Sequence, residues 1–154
     1  MVRRWGSGLV AGLGAGLVVG VMLHVMTLQA PDGRPVTWMR MIAALVGAER
    51  LGAGWALHLG LSGLWGAVFG GLVGGRWSSG TTVALGWLYG LFWWALGHMT
   101  VLPLRLGLEP FAWVRSLEAV PLALGSLVGH VLWGALLGGG VAWLAPGKAL
   151  TPPR

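Results

Sequence analysis

Four histidines, His24, His58, His98 and His130, are the only side chains that ionise near neutral pH inside the long apolar stretches of this chain. Those stretches run over 6–28, 51–75, 80–104 and 119–145, each close to the roughly 20 apolar residues that a helix needs to cross a hydrocarbon layer. At a helical rise of about 1.5 Å per residue, counted from the ends where the two longer connections lie, His24 sits about 6 Å deep, His98 about 9 Å, His58 about 10 Å and His130 about 16 Å. Three imidazoles therefore share one layer and the fourth is near the middle, a placement that predicts a polar site in the outer half of a bundle. A titratable ring in a hydrocarbon setting is a functional candidate by default.

Two of these histidines belong to a recurring pattern. His58-x3-Ser62-x2-Trp65 and Ser126-x3-His130-x2-Trp133 place each trio on one helical face, because residues three and four apart are neighbours on a helix. An unpaired imidazole, hydroxyl or indole N–H facing lipid costs free energy, so both faces are expected to turn inward and converge. Imidazole nitrogens suit Fe, Cu, Ni or Zn, and two histidines on facing helices could ligate haem b axially. Arg34, Arg40, Arg105 and Arg115 near the outer mouth could pair with haem propionates or another anionic headgroup. The plainer alternative is that each histidine hydrogen-bonds a neighbouring helix and that Trp65 and Trp133 supply packing mass.

Several chemistries are excluded. All four carboxylates, Asp32, Glu49, Glu109 and Glu118, fall outside the apolar stretches, leaving no buried acid–base pair and no carboxylate to orient a Ser–His dyad. Cysteine is absent, which removes disulfides, thiolate metal sites, iron–sulfur clusters and covalently attached haem. Gly12-Leu-Gly14-Ala-Gly16 has no Rossmann context. A non-enzymatic role is the expectation, with no catalytic residue assigned. A small transporter or channel working as an oligomer is a further alternative.

The elements that must position these groups follow from composition. Hydrophobic residues make up 56% of the 154, charged residues only 9%, and mean hydropathy is +0.77, values of the membrane class. The net charge of +6 reflects few acids more than many bases, and the cations are scattered singly, so no nucleic-acid surface is read from it. The expected fold is all-α: one integral membrane domain over 1–154, a four-transmembrane-helix bundle. Residues 35–48 and 105–118 are expected as interfacial segments between spans. The first stretch is longer than a signal-peptide core and reads as a span. Lys and Arg divide evenly between the two sides, but the Arg3-Arg4 pair before the first span favours cytoplasmic termini.

Glycine recurs at helical spacing: Gly8, Gly12, Gly16 and Gly20 on the first stretch, Gly63, Ala67, Gly71 and Gly75 on the second with Gly66, Gly70 and Gly74 beside them, and Gly134 and Gly138 on the fourth. Such small-xxx-small ridges let helices approach closely in lipid. A second glycine ridge on the second helix would leave a face for a homo-oligomer or a membrane partner subunit. The chain also reads as one hairpin written twice. Pro35-x-x-Trp38-x-Arg40 answers Pro110-x-x-Trp113-x-Arg115, and Trp65-Gly-Ala-x-x-Gly-Gly71 answers Trp133-Gly-Ala-x-x-Gly-Gly139. Two tandem hairpins related by a pseudo-twofold axis along the membrane normal are predicted.

Gly54-Trp55-x-x-His58, Pro103 and Gly129-His130-x3-Gly134-x3-Gly138 resemble a loose pattern in small bacterial inner-membrane proteins, the YagU-like group and its relatives. The resemblance implies a four-helix protein of the bacterial inner membrane and transfers no catalytic residue.

Overall fold

The computed structural model describes residues 2–29, 35–115, 117 and 119–147. In chain order the elements are α1 (Val2–Val25), strands β1 (Thr27–Gln29) and β2 (Pro35–Thr37), and helices α2 (Trp38–Ala44), α3 (Leu51–Val73) and α4 (Ser79–Trp93). A π-helical segment (Trp94–Val101), α5 (Leu102–Arg105), a 3-10 turn (Ala112–Val114) and α6 (Val120–Leu144) complete them. Three helices, Arg3–Val25, Leu51–Val73 and Val120–Leu144, are long and apolar enough to cross a membrane. Their outward faces carry exposed Leu17, Val18, Val21, Leu64, Leu72 and Val128, apolar surface of the kind that a membrane or another protein covers.

The fold departs from all-α at one point. The first helix stops at Val25 rather than Leu28, and Thr27 to Gln29 pair antiparallel with Pro35 to Thr37, with Thr27 opposite Thr37. The ribbon returns the chain to the end of α1, where Trp38 donates its backbone N–H to the Met26 carbonyl at 3.4 Å. Thr37 then caps α2, accepting from the Arg40 N–H at 3.4 Å. The expected interfacial helix tucks into the bundle instead: Met39 and Ala43 are fully buried, and Met39 lies so close to Gly54 on α3 that a Cβ there would sit 3.4 Å from the Met39 Cα.

The stretch read as the third span is helical from Ser79 to Arg105 but not uniformly so. Ser78 caps its start by accepting from the Thr81 N–H at 3.3 Å. The backbone remains helical through Trp94 (φ −61°, ψ −50°) and Leu102 (φ −63°, ψ −50°), yet the intervening residues are wound as a π-helix. Pro103 supplies the cause. A proline inside a helix has no N–H to give and crowds the carbonyl four residues earlier, here that of Met99. The freed Met99 carbonyl accepts from the Phe111 N–H at 2.6 Å, which anchors the second long connection to the helix it has just left.

Backbone contact between glycines sets the two tightest pairings. On α1 and α3, a Cβ at Gly66 would lie 2.6 Å from the Gly12 Cα, and one at Gly8 would lie 2.8 Å from the Gly70 Cα. On α4 and α6, a Cβ at Gly86 would lie 2.8 Å from the Gly138 Cα, and one at Gly90 would lie 3.2 Å from the Gly134 Cα. The seam on α3 is thus Gly66 and Gly70 rather than the Gly63 and Gly71 ridge. Gly63 accommodates the Leu9 and Leu13 side chains, and Gly71 the Trp5 ring. Both ridges on α3 are occupied by α1, so the face expected to remain for another subunit is filled from within the chain.

Between the hairpins the contacts are unequal. α1 meets α6 closely, with Val19 and Met22 over Gly129 at 3.7 and 3.6 Å from a Cβ there, and Ala11 2.8 Å from one at Gly140. α3 and α4 instead meet through rings: Trp65 against Trp93 with centroids 3.9 Å apart, and Phe69 against Tyr89 at 5.2 Å. At the far end from α2, Gly75 lies near both Arg4 Nε (3.7 Å) and the Ala145 carbonyl (3.8 Å) from its Cβ direction, so the start of α1 and the end of α6 share one end of the bundle.

Replacing Gly66 by Ala should lower stability by about 1–3 kcal/mol, the usual cost of overpacking a close contact. Gly60→Ala, with nothing within 4 Å of its Cβ position, should be neutral to slightly stabilising, since Ala exceeds Gly in helix propensity by roughly 1 kcal/mol. Unfolding in detergent followed by circular dichroism separates the two; equal behaviour would remove the seam.

Candidate functional site: a histidine-lined cavity

Above the ring layer of Trp65, Trp93 and Tyr89, the helices diverge and enclose a cavity of about 450 Å³. α1 closes it with Val19 and Leu23, and α2 caps it with Trp38, Met41 and Ile42. Leu61 on α3 and Val101 on the π-helical segment line the cavity while remaining exposed, so its mouth opens sideways between those two elements. Arg105, also exposed, stands at the outer edge of that mouth.

The structure brings together His58, His98, His130, Ser62, Ser126, Trp65 and Trp133 on the walls of this one cavity. Their hydrogen bonds divide them by role. The His58 Nε2–H donates to the Gly16 carbonyl on α1 at 2.8 Å. A carbonyl oxygen can only accept, so the proton is on Nε2 and Nδ1 is left as a bare lone pair. Gly16 permits this approach: a Cβ there would be 2.6 Å from the Ser62 Oγ. His130 is locked the other way, its Nδ1–H donating to the Ser126 carbonyl one turn earlier on the same helix at 2.8 Å, which leaves Nε2 as the lone pair. Neither free nitrogen has a hydrogen-bond partner among the described residues.

Ser126 is committed to structure. Its hydroxyl donates to the Ala123 carbonyl at 2.9 Å and accepts from Trp94 Nε1 at 3.0 Å, tying the π-helical segment to α6. His98 is held differently, by rings. The Trp38 ring lies 5.8 Å from it, the Trp113 ring 6.2 Å and the His130 ring 6.3 Å, centroid to centroid. Trp113 Nε1 also donates to the His98 backbone carbonyl at 3.1 Å. Among the described residues, His98 Nε2, Trp38 Nε1 and Trp133 Nε1 are buried without a partner. Buried polar atoms of that kind are rare in native interiors.

Other expected site residues lie elsewhere. His24 is exposed on the outer side of α1 and accepts from Trp55 Nε1 at 3.3 Å. The Trp55 ring stands between it and His58, 5.9 and 6.4 Å from each. Gly20 makes room for that ring, a Cβ there falling 2.8 Å from Trp55 Cη2, so the indole occupies the path by which His24 would reach the shared centre. Arg40 is exposed and does not line the cavity, and Arg115 is paired with Glu109 in the second connection. Arg34 lies outside the described residues. Sequence reading missed Trp93, Trp38, Val101 and the cap formed by α2; the helical spacing of apolar Trp38, Met39, Ile42 and Ala43 in one short segment was the signal available.

No family model, curated protein or solved structure matches this chain. Among the described residues no three His, Asp or Glu side chains form a metal-holding group, and the cavity wall contains no carboxylate. A divalent ion placed there would be uncompensated in a low-dielectric setting with Arg105 at the entrance, an expensive arrangement. Trp38 and Trp113 crowd the His98 ring on two sides, which also leaves little room for a haem macrocycle around that nitrogen.

Only one histidine holds helices together by donating across them. His58→Leu should therefore cost about 0.6–1 kcal/mol in unfolding experiments, the range of one interhelical hydrogen bond. His130, bonded within its own helix, should be replaceable by Leu with a change within about 0.5 kcal/mol. Equal losses at the two positions would assign both to bundle packing.

Proposed function

We propose that this chain is a four-span, non-enzymatic protein of the bacterial inner membrane that holds a small lipid-soluble molecule in the histidine-lined cavity. The cavity with its sideways mouth supports this reading most directly. A mouth between apolar Leu61 and Val101 admits a molecule already dissolved in lipid and, with Arg105 at its edge, offers nothing to a hydrated cation. The largely apolar wall with a few convergent polar groups is the usual form of a small-molecule site.

The fourth span in this reading is the run from α4 through the π-helical segment to α5. Its length suits a crossing once the three pieces are taken together, and π-helical turns recur at functional sites in other helices. On the two glycine seams Gly66 and Gly70 correspond to Gly134 and Gly138 under the repeated Trp-Gly-Ala segment, which supports duplication of a hairpin. The resemblance to YagU-like proteins and the Arg3-Arg4 pair support an inner-membrane address with cytoplasmic termini. The ring layer of Trp65, Trp93, Phe69 and Tyr89 closes the cavity toward that end, so a one-sided pocket is favoured over a channel. An accessory role beside a larger membrane enzyme or carrier fits a chain that binds without catalysing.

Single cysteines at Ser78 and Glu49, both exposed, should be labelled by an impermeant reagent from opposite faces of the membrane, Ser78 from the cytoplasm; labelling from one face defeats the topology. Protein purified from its native membrane should retain one small apolar molecule per chain in native mass spectrometry. Val101→Trp, which fills the mouth, should lose it while keeping the same circular dichroism. An empty wild-type cavity, or a Soret band or stoichiometric metal in its place, would refute the reading.

A further inference from the structure

The two histidine tautomers specify what the bound molecule must offer, an inference that rests on the cavity being a ligand site. We propose that the occupant is a neutral apolar molecule bearing a hydroxyl group, and that this hydroxyl donates to His130 Nε2. Backbone carbonyls hold the protons of His58 and His130 on the nitrogens that face away from the ligand, Nε2 by Gly16 and Nδ1 by Ser126, each at 2.8 Å. Both rings therefore present lone pairs to the cavity, and a lone pair is answered by an O–H, an N–H or a metal cation.

Charge removes the cationic donors. With no carboxylate among the described residues of the wall and Arg105 at the entrance, an ammonium group or a metal ion would be buried uncompensated. A neutral hydroxyl carries no such cost, whereas a ketone, an ester or a hydrocarbon has no proton to give to either lone pair. Two sources in a membrane present this chemistry, long-chain isoprenoid alcohols and lipid-soluble phenols.

The test compares matched probes on the full-length protein in detergent micelles, with affinities from native mass spectrometry. Farnesol, its methyl ether and the parent hydrocarbon form one set; 4-nonylphenol and its methyl ether form the other. The ether retains the oxygen and the shape but lacks the donor. The alcohol or the phenol should bind about three- to tenfold tighter than its ether, the ratio of one net hydrogen bond, and the stronger set identifies the source. In His130→Leu the alcohol and ether should bind alike. If alcohol and ether bind equally to the wild type, the hydroxyl proposal is overturned while the cavity remains a ligand site. If none of the five probes binds, the ligand-site reading falls with it. Stoichiometric Zn²⁺ or Cu²⁺ binding that displaces the alcohol would overturn the proposal in favour of a cation.

Discussion

Closest approach between backbones governs everything else in this molecule. Where Gly12 faces Gly66 and Gly90 faces Gly134, two helices touch without side chains between them, and each hairpin becomes one rigid unit. Bulky residues are thereby displaced to the surfaces where the hairpins meet each other. On one side small groups again allow contact, Ala11 at Gly140 and Val19 at Gly129. On the other, Trp65 and Trp93 stack with centroids 3.9 Å apart and act as a wedge between α3 and α4. The cavity is the space that this wedge leaves above itself.

The same wedge breaks the equivalence of the repeated segments. A twofold arrangement would give each copy of Pro-x-x-Trp-x-Arg its own histidine to cover. Instead Trp38 from the first and Trp113 from the second flank a single ring, His98, at 5.8 and 6.2 Å, while His24 pairs with Trp55 outside. Pro103 has no counterpart near the end of α1. It widens the helix into π turns and hands the Met99 carbonyl to Phe111, which pulls the second connection across His98. A sequence that looks duplicated thus encloses one site, off-centre, rather than two related ones.

Much of this was legible beforehand, and for a definite reason. A polar face on an apolar helix has one acceptable direction, inward, so the spacing of His58, Ser62 and Trp65, and of Ser126, His130 and Trp133, was enough to place those residues on a common wall. Histidines confined to apolar stretches marked the same region. The glycine ridges showed that helices would approach closely, although they could not say which of two adjacent ridges on α3 would form the seam, because both satisfy the same four-residue spacing.

The sequence by itself determined the apolar stretches, the inward direction of their polar faces and the absence of buried acids, since these depend only on residue type and helical period. Tertiary structure alone decided that His24 is shut out by Trp55, that α2 folds in as a cap, and which nitrogen of His58 and of His130 carries its proton. Those outcomes depend on how far one helix slides and turns against another. Backbone carbonyls such as that of Gly16 have no signature in the residue names; only the packed register of two helices brings them to a ring.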